Sequence, residues 1–64
     1  MNVTQRQILN AAIDKLNDMP DDSDPEHAHC EAEDIICEML RGLNYGGAAE
    51  AFELARSRIG FWYA

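Results

Sequence analysis

The chain is short of positive charge. Five Lys and Arg residues face twelve Asp and Glu, a formal net charge of −7 over 64 residues. A surface of that sign repels phosphate backbones and anionic lipid, so direct nucleic-acid binding and membrane-surface binding are both disfavoured. Long apolar runs are also missing. Nothing approaches the ~20 consecutive apolar residues of a membrane span, and no cationic segment leads into the ~7–15-residue apolar stretch of a secretory signal. With only two cysteines and no such signal, a reducing, cytoplasmic setting is expected. There is no CxxC, no HExxH, and no Gly-rich phosphate loop; Tyr45-Gly46-Gly47 lacks the GxGxxG or GxxxxGK pattern. A nucleophile would need a base and a third orienting group. Cys30 beside His29 does not supply them, because consecutive helical residues point about 100° apart. No enzyme and no cofactor are expected.

What the chain does contain is helix. The apolar fraction of 47% is that of a globular protein, and one domain spanning 1–64 is expected. A chain of this size buries only ~60% of its unfolded surface. Its core supplies roughly 3–5 kcal/mol, which favours oligomerisation, so a homodimer is expected.

The organising stretch is Asp24 to Leu40. Asp24 suits an N-cap, Pro25 the first helical position, and Glu26 the electropositive first turn. Ala28, Ala32, Ile35, Ile36, Met39, Leu40 and Leu43 recur at helical spacing and form one apolar stripe. The helix should run over about 25–41, with Gly42 turning left-handed to end it. Ahead of it, about 4–18 reads as a helix with Ile8, Leu9, Ala12, Ile13 and Leu16 on its apolar face. Thr4 with Gln7 has the spacing of a capping box, and Val3 with Ile8 that of a staple. Pro20 and the acids around it make the linker. A third helix over about 47–59 places Ala48, Ala51, Phe52, Ala55 and Ile59 together, and Gly60 stops it. Phe61, Trp62 and Tyr63 form an aromatic C-terminal tail. The fold class is all-α, a small three-helix bundle.

Three features are candidates for function. Ten of the twelve acids lie between Asp14 and Glu38, with Lys15 the sole Lys or Arg among them. Of these, Asp21, Asp22, Glu31, Asp34 and Glu38 form the expected protein-binding face, and Asp18 and Asp24 continue the field. Such a face imitates a nucleic-acid backbone and suits a basic protein groove. Arg56 and Arg58 next to Phe61, Trp62 and Tyr63 form a second candidate, since guanidinium and aromatic rings together hold anions and rings. An oligomer sequestering a small nucleotide-like ligand is one alternative to the acidic-face reading, and a structural assembly subunit is another. His27, Cys30 and Cys37 are the residues that a metal would use, though one helix projects too few ligands for the tetrahedron that zinc requires. No metal is expected. Cys30 and Cys37 lie roughly 10 Å apart along one helix axis and cannot pair with each other, because a disulfide needs Cα atoms within ~7 Å. They read as small, half-exposed fillers.

Asp24-Pro-Glu-x-Ala-His-x-Glu-Ala-x-Asp34 with its following apolar run, and the terminal Trp62-Tyr63-Ala64, resemble a group of short, acidic proteins encoded by bacteriophages and prophages. The resemblance covers under half the chain and carries no site residues with it. It implies a phage accessory protein in the cytoplasm of a bacterial host. By analogy it implies a non-catalytic inhibitor or modulator of a host or defence protein, for example one that blocks CRISPR.

Overall fold

The computed structural model describes residues 1–22 and 24–60, so the expected tail with Phe61, Trp62 and Tyr63 lies outside the described residues. Three helices carry the chain: α1 (Val3–Asn17), α2 (Pro25–Gly42) and α3 (Gly46–Ile59). No strand occurs among the described residues. The all-α, three-helix fold is the one expected, and each helix boundary falls within about one residue of the pattern-based one.

At the helix ends, several local signals in the sequence take the roles expected of them. At α2, Asp24 accepts the His27 backbone N–H at 3.3 Å, with Pro25 at the first position and Glu26 in the first turn. At α3, Gly60 takes the left-handed conformation with φ 71°. Two expectations need correction. The capping box uses Asn2 and Gln5 rather than Thr4 and Gln7. The Asn2 side chain accepts the Gln5 N–H at 2.8 Å, and the Gln5 side chain accepts the Asn2 N–H at 2.9 Å. Asn is at least as good a cap as Thr, and starting at Asn2 takes Val3 into the helix as an exposed residue.

Gly42 does not terminate α2. It is the last helical residue, Leu43 follows it with φ −87°, and the left-handed residue is Asn44 at φ 69°. Asn tolerates that region better than other side chains. The Tyr45 N–H then bonds back to the Leu40 carbonyl at 2.7 Å, closing the turn. Gly42 serves packing instead. A Cβ there would stand 3.1 Å and 3.3 Å from the Ile8 side chain, which would have to give by a few tenths of an ångström, so glycine leaves room for Ile8 of α1 at this seam.

The helices are arranged in one layer. α2 lies in the middle, packed by α1 on one flank and by α3 on the other, and α1 does not touch α3. The principal extents are 37 × 29 × 10 Å, one helix thick, since a helix with its side chains measures ~10–12 Å across. The buried residues follow from this. Ala12, Ile35, Cys37, Leu43 and Ala49 make up the buried apolar set among the described residues. They line two seams and do not form a shared centre.

Two consequences correct the sequence reading. Cys37 is no half-exposed filler; it retains only 2% of its surface. On α3 the sealed residue is Ala49, with Phe52 half-buried, whereas Ala48, Ala51 and Ile59 stay exposed. The reason is geometric. α3 has one neighbour, so only the edge of its apolar stripe enters a seam. Ile13 and Ile36 are each 43% exposed, because a single layer of helices leaves its two broad faces uncovered.

Candidate functional site: an acidic groove

Helical geometry places Glu31, Asp34 and Glu38 within about 60° of one another on α2. The end of α1 brings Asp18 across to them. Together these four acids rim a groove of about 510 Å³ whose floor is Met19, Pro20 and Ile35, with Lys15 on its α1 wall. A smaller hollow of about 280 Å³ continues it towards Ile8, Ala11, Met39 and Gly42, sharing Lys15, Ile35 and Glu38. The rim side chains are open to solvent: Asp34 is 69% and Glu38 75% exposed.

Their charge is only partly answered from within. Lys15 Nζ lies 4.0 Å from Glu38 Oε2, and His27 Nε2 lies 3.9 Å from Glu31 Oε2. Arg56 reaches to 3.6 Å from Asp34 Oδ1. Exposed pairs at such distances contribute little. The shape nevertheless has a chemical meaning. An apolar floor under a carboxylate rim fits a lysine or arginine side chain, whose aliphatic stem lies on the floor while its head meets the acids.

Of the residues predicted from sequence, the fold brings together Glu31, Asp34 and Glu38. Asp21 and Asp22 lie exposed in the α1–α2 loop, beyond the groove lining. Asp18 belongs to the rim; its place in the acidic run was the signal that could have found it. The floor residues Met19 and Pro20 gave no such signal, because in sequence they read as linker.

Arg56 is committed elsewhere. Its Nη1 donates to Glu33 Oε1 at 3.0 Å, and its guanidinium carbon sits 5.7 Å from the Phe52 ring centroid. Glu33, with only 13% of its side chain exposed, also takes His29 Nε2 at 3.2 Å. This network ties α3 to α2, and Arg41 with Glu53 makes a second tie along the same seam. Arg58 is exposed on the last turn of α3.

His27, Cys30 and Cys37 are not assembled into a site. Among the described residues, no group of three or more His, Cys, Asp or Glu side chains is placed to hold a metal ion. Cys37 is walled in by α3, and burial pushes its thiol above the ordinary value, reinforced by the nearby Glu53 carboxylate against the opposing Arg41 and Arg56. Thiolate is the reactive form. Alkylation of the native protein with iodoacetamide is therefore expected to modify the half-buried Cys30 well before Cys37, with the two rates converging in denaturant. Peptide mapping reads both, and equal native rates would contradict the sealed seam.

Among the described residues, no helix is long and apolar enough to cross a membrane. Comparison with protein-family models, curated proteins and solved structures finds no match.

Proposed function

We propose that this chain is a non-catalytic binding protein whose acidic groove engages a basic surface on another protein. The supporting observation is the groove itself: Asp18, Glu31, Asp34 and Glu38 around an apolar floor, on a chain of net charge −7. Asp21 and Asp22 extend the same field from the adjoining loop. The gain from such a face lies mainly in association rate and in the choice of partner. Taken with the resemblance to short acidic phage and prophage proteins, the partner is a bacterial host or defence protein with a groove that otherwise holds nucleic acid, such as a CRISPR effector. The protein then acts as an inhibitor or modulator in the host cytoplasm.

The test is a triple charge reversal, Glu31→Lys, Asp34→Lys and Glu38→Lys. These side chains are exposed or carry only weak pairs, so helicity by circular dichroism should be retained. Capture of basic proteins from bacterial lysate should fall at least ~10-fold, about 1.4 kcal/mol. Capture by the natural chain should itself weaken as salt screens the field. Equal capture by both proteins would end this reading.

A further inference from the structure

The face of the layer opposite the acidic groove carries exposed apolar side chains from all three helices. Helical spacing puts Ile13 of α1, Ile36 of α2 and Ile59 of α3 on this side, and they are 43%, 43% and 61% exposed. Half-buried Leu9, Leu40 and Phe52 lie beside them. Large apolar side chains exposed together on one face mark a candidate interaction site. We infer that this face is the contact surface between two copies of the chain, stacked layer on layer into a six-helix dimer.

Three observations single out a second copy as the occupant. First, the size permits it: the 37 by 29 Å outline of the layer bounds the face at roughly 1,000 Å², above the ~800 Å² that a stable specific interface takes from each partner. Secondly, the charges are sorted for self-association. Glu31, Asp34 and Glu38 line the other face, so stacking through the apolar side turns both sets of acids outward. The acid that borders the apolar side, Glu33, is already held by Arg56 and His29. Thirdly, a twofold interface needs a patch that complements itself, and an apolar surface does so without matching charges.

This inference is independent of the acidic-groove reading, because the two use opposite faces. Native mass spectrometry and sedimentation of the natural chain should give twice the 7.2 kDa chain mass. Ile36→Asp should halve that mass, while Glu38→Lys on the other face should leave it unchanged. Should Ile36→Asp also lose helicity, isotope-filtered NMR on the natural protein decides. A mixed labelled and unlabelled sample should show intermolecular contacts among the Ile13, Ile36 and Ile59 methyl groups. A natural chain that is monomeric up to millimolar concentration overturns the inference. So does a dimer whose intermolecular contacts come from the groove side.

Discussion

Replacing Ile35 with alanine is expected to leave most of the chain unfolded at room temperature. Ile35 is one of the few large apolar side chains that the layer buries, with 8% of its surface exposed. It stands on α2 at the seam with α1, beneath both the groove and the smaller hollow. Truncating such a residue costs ~2–5 kcal/mol, against a total of roughly 3–5 kcal/mol for a core of this size. The site cannot collapse to compensate, because the neighbouring floor is already open towards solvent. Circular dichroism during urea titration should show a shallow, early transition or none. A loss below ~1 kcal/mol would mean that the α1–α2 seam is not held by Ile35.

Ala49→Leu should have the second-largest effect, of a different kind. Ala49 has no exposed surface and lies where α3 meets α2. Three added carbons have no space, and overpacking of this sort costs ~1–3 kcal/mol. Since α3 is held through one seam only, the strain has an easy outlet: α3 separates from α2 while α1 and α2 stay paired. Hydrogen exchange should accordingly show α3 amides losing protection far more than those of α1 and α2. The Arg56–Glu33 and Arg41–Glu53 ties would break with the seam. Uniform protection along all three helices would show that the seam accommodates leucine and that α3 is better anchored than one contact surface allows.

Much of this architecture was legible in the chain. Helix existence follows from apolar residues at three- and four-residue spacing, and that spacing is intrinsic to the backbone. Asp24-Pro25-Glu26 and Gly60 announce their helix ends through properties carried by those residues alone. Gly42 shows where such reasoning stops. Glycine just past an apolar stripe has the same appearance whether it supplies a left-handed turn or admits a neighbouring helix, and only the position of Ile8 decides between them. The cap of α1 is ambiguous in sequence for a simpler reason: Asn2–Gln5 and Thr4–Gln7 both have capping-box spacing, and the earlier pair starts the helix.

The candidate site divides in the same way. Glu31, Asp34 and Glu38 share a helical face by arithmetic, so sequence spacing sufficed. Asp18, Met19 and Pro20 join them through the turn between α1 and α2, which is a property of the fold. Arg56 reads in sequence as an available cation beside a tail; packing commits it to Glu33.

By itself, then, the sequence determined the three helices, their approximate ends, the excess of acid and its concentration around α2. These depend on side chains separated by a few positions along one backbone. Only the tertiary structure decided that α1 and α3 take opposite flanks of α2 and never meet. That single arrangement seals Ala49 and Cys37, opens the groove, and leaves Ile13, Ile36 and Ile59 uncovered on the far side. An apolar stripe is broader than one seam can bury, and periodicity says that it must be covered without saying by what.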